Sequence, residues 1–194
     1  MTGLILCGGQ STRMGTDKGM LQKDATTWAQ LAFNKLSALS IPVVLSVNQQ
    51  QQTVYSNYFD PSLLINDDTN LSIGGPLHGI LSVHDQFPLS DLLVLACDMP
   101  FMEEPILQEL LTLYQQNKNA DAFVYTNAEE LEPLCAIYTA KGLVYILQLY
   151  RDNKLPKHSM KYMLEHINTF TTPLSDEQKK YFRNINTHAE LNGL

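Results

Sequence analysis

Arginine is scarce in this chain: its 194 residues hold only Arg13, Arg151 and Arg183. Thirteen Lys and Arg stand against 20 Asp and Glu, for a formal net charge of −7. Domains that grip nucleic acid usually present a basic face, so no nucleic-acid partner is expected. An anionic small molecule would have to be drawn by local cations, not by the global field. Cysteine is equally sparse. Cys7, Cys97 and Cys135 are odd in number, unclustered and without a C-x-x-C, which argues against a disulfide framework and leaves a thiol-redox role without a motif. Each lies in an apolar run and reads as a small core residue; a zinc site would require all three to converge. No apolar run reaches membrane-spanning length, and no basic segment precedes a signal-like core at the N-terminus. No membrane partner and a cytoplasmic location are therefore expected. Two phosphate motifs are also missing. No G-x-G-x-x-G can be read, and five residues, not four, separate Gly9 from Gly15, with no Ser or Thr after Lys18. The Walker A and dinucleotide fingerprints are excluded.

What is present is a different anion site. Leu4-Ile5-Leu6-Cys7 is an apolar run that reads as a buried strand. It opens into Gly8-Gly9 and a polar loop carrying Arg13 and Lys18. Paired glycines let the backbone turn sharply and bring N–H groups close to an anion. Arg13 offers a planar fork to phosphate oxygens, and Lys18 a point charge for the α-phosphate. The alternative for both is a pair of solvated loop cations.

Apolar runs alternate with helical stretches along the rest of the chain, predicting one α/β domain over 1–194 with a mostly parallel sheet. Strands are expected at 3–7, 43–47, 63–65, 92–96, 122–125 and 133–138. Helices are expected at 25–39, 77–86, 103–117, 140–151 and 157–166, with a further one within 175–194. The run Gln49–Gln52 reads as a solvated helix start, and Glu129–Glu132 as an acidic hairpin turn.

In open parallel sheets, ligands bind beyond the carboxyl ends of the strands. Gly8 and Gly9 follow the first strand, Asn48 the second, Asp67 the third and Asp98 the run 92–96. Asp98 suits Mg²⁺, which takes one or two carboxylates together with phosphate oxygens and water; its alternative is a cap on the next helix. Asn186 could be a second ligand through its amide oxygen, or a turn residue. Asp67 adjoins Asp68, and either could face a ligand or close a turn. His78 reads as a helix-start residue more readily than as a base. Arg151, Lys154, Lys157, His158 and Lys161 form one locally basic region, either a phosphate contact or a solvated face.

The segment Leu6–Lys18 resembles the Leu-x-Gly-Gly-x-Ser-x-Arg-Met-Gly-x-Asp-Lys motif of the sugar-nucleotide-type nucleotidyltransferases, with Cys7 where Ala is usual. Within that superfamily the chain is most similar to the molybdenum cofactor guanylyltransferases. Gly75-Pro76-Leu77-His78-Gly79-Ile80, Cys97-Asp98-Met99-Pro100 and Asn184-Ile185-Asn186-Thr187 match later family segments in order, with His188 where Pro is usual. The resemblance implies a three-layer α/β/α fold of the nucleotide-diphospho-sugar transferase type. It implies GTP as donor, Mo-molybdopterin as acceptor and Mg²⁺ as cofactor. Leu6, Cys7, Gly8, Gly9, Lys18, Asn48, Asp67 and Asp98 would hold the nucleotide, Arg13, Lys18 and Asp98 would serve catalysis, and Asp98 with Asn186 would bind the metal. Transient contact with molybdenum cofactor delivery proteins or acceptor enzymes is also implied. The Gly8-Gly9 pair leaves room for a purine and favours GTP over CTP. A cytidylyl- or sugar-phosphate nucleotidyltransferase, or a non-catalytic nucleotide or pterin carrier, is the alternative.

Overall fold

The computed structural model describes residues 1–8, 17–23 and 25–183. Strand β1 spans Thr2–Leu6, and a two-residue hairpin, β2 (Gln22–Lys23) and β3 (Thr26–Thr27), leads into helix α1 (Trp28–Ser37). Then come β4 (Val43–Val47), α2 (Gln49–Tyr55), β5 (Leu64–Asn66), α3 (Pro76–Gln86), β6 (Leu92–Ala96) and α4 (Glu104–Gln116). The chain continues with β7 (Ala122–Asn127), β8 (Glu130–Tyr138), α5 (Ala140–Arg151), α6 (Met160–Leu164) and β9 (Thr169–Pro173).

Seven strands form one sheet in the order β5-β4-β1-β6-β8-β7-β9. Only β8 runs against its neighbours; β1, β4, β5, β6, β7 and β9 share a direction. Strands covered on both faces are largely apolar, which explains the runs Leu4–Leu6, Val43–Leu45 and Leu92–Ala96. Alternation then sorts each run between two cores. Ile5, Leu45, Val47, Leu93 and Leu95 face a layer built by α1, α2 and α4. Leu4, Leu6, Val44, Leu92 and Val94 face one built by α3, α5 and α6. The result is the expected three-layer α/β/α arrangement.

Helix starts are set locally. Thr27 and Gln30 form a capping box at α1, Asn48 and Gln51 another at α2, and Thr139 caps α5. Pro76 opens α3 at a position where its missing N–H costs nothing, behind Gly75 at φ 72°. Ala128 and Glu129, both with positive φ, make the two-residue turn of the β7–β8 hairpin. Glu130–Glu132, expected in the turn, pair instead with Tyr125–Asn127.

Three further corrections follow. The helix at 25–39 begins only at Trp28, because the β2–β3 hairpin occupies the preceding residues. The helix at 157–166 shrinks to Met160–Leu164, capped by Ser159. Of the stretch 175–194, the described residues hold a 3₁₀ turn at Lys179–Phe182, and 184–194, where the expected helix could lie, fall outside them. Strand β9 was not anticipated: Thr-Phe-Thr-Thr-Pro is polar, ends in proline and lies at the sheet edge, where one face and one ladder suffice.

Candidate active site

The strand order reverses around β1: the chain steps outward through β4 to β5, then returns to β6 on the other side. A crevice at the carboxyl ends of the strands is the consequence. Residues just past the strands are still pinned by the ladder. Cys7 N donates to Ser46 O at 3.0 Å, Asp67 N to Val47 O at 2.9 Å and Cys97 N to Leu6 O at 3.1 Å. Backbone pairing thus fixes the points from which Gly8, Asp67 and Asp98 project.

Lys18 and Asp98 meet across the β1–β6 boundary, with Nζ 2.9 Å from Oδ2. Lys18 starts a 3₁₀ turn, Lys18–Met20, capped by Asp17, whose Oδ1 accepts from Gly19 N at 2.9 Å. Asp98 Oδ1 is buried and has no hydrogen-bond partner among the described residues. Burying an acceptor without a partner is costly. The capping alternative fails, because the N-cap of α4 is Glu103.

A cleft of about 680 Å³ opens over β1, β4 and β5, lined by Leu6, Gly8, Ser46, Asn48, Asp67, His78 and Gly79, among others; Lys18 and Asp98 do not line it. Gly8 passes so near Asp67 that a Cβ there would lie 3.1 Å from Oδ2. Ser46 Oγ donates to Asp67 Oδ1 at 2.8 Å. Burial pushes the Asp67 carboxyl above its ordinary range, and the Ser46 hydrogen bond and nearby His78 hold that rise in check. Asp68 turns away. Its Oδ1 accepts from Asn70 N at 2.9 Å and its own N–H donates to Ser82 Oγ at 2.8 Å. Of the two adjacent carboxylates, Asp67 lines the cleft and Asp68 builds the turn. Nε2 of His78 lies 2.8 Å from Asp68 O, and a carbonyl only accepts, so this nitrogen carries the proton. His78 thereby fastens the first turn of α3 to the 67–75 loop.

Asn48 also lines the cleft, but its Oδ1 is committed to capping α2 through Gln51 N at 3.0 Å. The carbonyls of Leu6 and Cys7 are engaged by Cys97 N and by Gln51 Nε2. The Cys7 side chain is buried in the core facing α1, α2 and α4.

The profile of the MobA-like NTP transferase domain matches residues 3–167. This chain belongs to that family. It is similar to a protein of Geobacillus sp. (strain WCH70) called a probable molybdenum cofactor guanylyltransferase, with 28% identity over 199 residues, covering 100% of this chain and 97% of the relative. A molybdenum cofactor biosynthesis bifunctional protein of Synechocystis sp. (strain PCC 6803) is 32% identical over 145 residues, which span 73% of this chain but only 40% of that longer protein. Among solved structures, molybdopterin-guanine dinucleotide biosynthesis protein A from Archaeoglobus fulgidus superposes with a TM-score of 0.80 at 22% identity, covering 100% of this chain and 96% of the other. The chain is a MobA-like nucleotidyltransferase, and its fold is that of the nucleotide-diphospho-sugar transferases.

Three expected site residues of this MobA-like chain, Gly9, Arg13 and Asn186, lie outside the described residues. In the basic region, Arg151 pairs with Asp85 at 3.0 Å, Lys154 with Asp152 at 3.2 Å and Lys161 with Glu130 at 3.9 Å. All three are surface pairs, a class that contributes about 0–1 kcal/mol each. The three cysteines are free and buried. The hydrogen bond to Cys7 and burial push the Cys97 thiol well up, and burial does the same to Cys135. A thiol held protonated is a poor nucleophile, which removes support from thiol-redox chemistry. No helix among the described residues is long and apolar enough to cross a membrane.

Sequence reasoning missed Asp17, Gln51 and Tyr55. Asp17 accepts from Gln51 Nε2 at 2.8 Å and from Tyr55 OH at 3.1 Å. Gln51 is only 9% exposed, so the glutamine run is not a wholly solvated tract. The capping-box spacing from Asn48 to Gln51 was the one available signal.

Proposed function

We propose that this chain transfers GMP from GTP to Mo-molybdopterin, giving the molybdopterin guanine dinucleotide and pyrophosphate. The observation that carries this reading is the Lys18–Asp98 pair, whose buried Oδ1 has no partner among the described residues, in a fold that opens a cleft of nucleotide size over β1, β4 and β5. The printed names of the relatives, which speak of molybdenum cofactor guanylyltransferase, support donor and acceptor alike.

A buried carboxylate oxygen without a partner among the described residues fits a hard cation that prefers oxygen ligands, so Asp98 would hold Mg²⁺. When bound, such an ion neutralises triphosphate charge and polarises the α-phosphoryl oxygen. Asn186 is the second ligand in this proposal. The acceptor's terminal phosphate attacks the α-phosphorus in line, and the bond to the β-phosphate oxygen breaks to release pyrophosphate. The attacking phosphate is already ionised near neutral pH, so no general base is required. Lys18 stands where negative charge grows, and Arg13 binds the outgoing phosphates. Alignment and charge neutralisation then supply the rate. Asp67 and Asn48 hold the nucleoside in the cleft, with Gly8 giving the base and ribose close access to the backbone.

Calorimetric titration of GTP, CTP, ATP and UTP, each with and without Mg²⁺, tests this reading. Mg²⁺-dependent selectivity for GTP is expected. Preference for CTP would move the chain to a cytidylyl donor, and binding that ignores Mg²⁺ would remove Asp98 from metal duty.

A further inference from the structure

The Gln51 side chain bonds to Asn48 and to the residues that precede Gly8 and Lys18. Its single amide nitrogen donates to Cys7 O and to Asp17 Oδ2, both at 2.8 Å. Its Oε1 accepts from Asn48 N at 2.9 Å. Cys7 precedes Gly8, Asp17 precedes Lys18, and Asn48 lines the cleft. Both amide hydrogens are used, and the residue is buried. Asp17 in turn receives Tyr55 OH and Gly19 N on its other oxygen, so neutral donors saturate the carboxylate that caps the Lys18 turn.

Cys7 and Asp17 are the two feet of the glycine loop. A side chain that ties these two points together fixes their separation before any ligand arrives. We infer that Gln51 is a positioning residue that clamps Asp17 to the end of β1 at Cys7 and thereby sets Lys18 against Asp98. The inference rests on the proposed nucleotidyl transfer for its consequence in turnover, but the clamp itself is testable without substrate.

The experiment compares wild type with Gln51→Leu, the isosteric Gln51→Glu and Tyr55→Phe, each checked for native circular dichroism. Lys18 reactivity is read first, by trace acetylation with acetic anhydride and peptide mass spectrometry, against Lys141, whose side chain is 82% exposed. Either Gln51 variant should raise the Lys18 rate about threefold or more relative to Lys141, while Tyr55→Phe, which leaves the Cys7 tie intact, should raise it less; an order-of-magnitude loss of alignment is what small misplacements produce. Unchanged Lys18 reactivity in folded Gln51 variants overturns the clamp, and so does an equal rise in Tyr55→Phe, which would assign the effect to Asp17 burial alone. In turnover, Gln51→Leu should lower kcat about tenfold with KM for GTP nearly unchanged, and should add little to Lys18→Ala because both act through the same ammonium. Full additivity with Lys18→Ala also overturns it. A wild type that transfers no GMP would count against the proposed function only, since the acetylation readout still decides the clamp.

Discussion

At the scale of single residues, the site turns on two side chains with different tasks. Asp98 keeps one oxygen on Lys18 and leaves the other buried and without a partner among the described residues. Asp98→Ala should cut turnover by about 10²-fold or more, the range seen when a preorganised electrostatic group is removed, while circular dichroism stays native. Near-normal turnover in that variant would strip Asp98 of the metal role. For Lys18 the split between parameters is informative. In the proposed reaction its charge serves the α-phosphate, so Lys18→Ala should lower kcat by more than it raises KM for GTP. A rise in KM with kcat intact would make Lys18 a ground-state contact. Steady-state kinetics at saturating acceptor separates the two.

At the scale of elements, helix α3 is held against the sheet by the absence of a side chain. A Cβ on Gly79 would collide with Ser46 Oγ and lie 3.1 Å from Leu6 Cδ2. Alanine favours a helix interior by about 1 kcal/mol over glycine, yet forced overpacking costs about 1–3 kcal/mol. Packing should dominate, because Ser46 is fully buried and already engaged with Asp67. Gly79→Ala is therefore expected to lower the urea midpoint and weaken nucleotide binding together, since displacing Ser46 releases Asp67. Gly74 is the internal control. Nothing lies within 4 Å of its Cβ position, so Gly74→Ala should stay within about 0.5 kcal/mol of wild type. Equal losses for the two alanines would locate the effect in the loop backbone, not in the α3–β4 contact.

At the scale of the whole molecule, acid stability should be governed partly by His84. It is 1% exposed on α3 and its Nδ1 has no partner among the described residues. Burial pushes its pKa below the ordinary value; Asp85 opposes that shift and Arg151 adds to it. The unfolded chain therefore binds this proton more readily than the fold does. The stability contribution is complete above the unfolded value of about 6.5 and is lost as pH falls toward the lower folded value. Asp67 has the opposite sign, because its raised carboxyl pKa makes the fold bind a proton more readily than the unfolded chain at lower pH. Urea midpoints measured from pH 8 to pH 5 should fall for wild type and fall less steeply for His84→Gln. Parallel curves would show that other groups carry the acid response.

The sequence by itself determined the strands buried on both faces and the short motifs at their ends. Val43–Val47, Leu92–Ala96 and the helix Ala140–Arg151 were legible because continuous apolar runs and helical spacing are local signals. The placement of Gly8, Asn48, Asp67 and Asp98 was legible for the same reason: each follows directly on a run that can only be a strand. Strand β9 was hidden because an edge strand buries so little that its composition stays polar. Only the tertiary structure decided that Asp67 and not Asp68 faces the cleft, that Asp98 pairs with Lys18 eighty residues away, and that Gln51 ties Asp17 to Cys7. Those facts depend on strand order and register, which bring distant segments into contact and have no local signature in the chain.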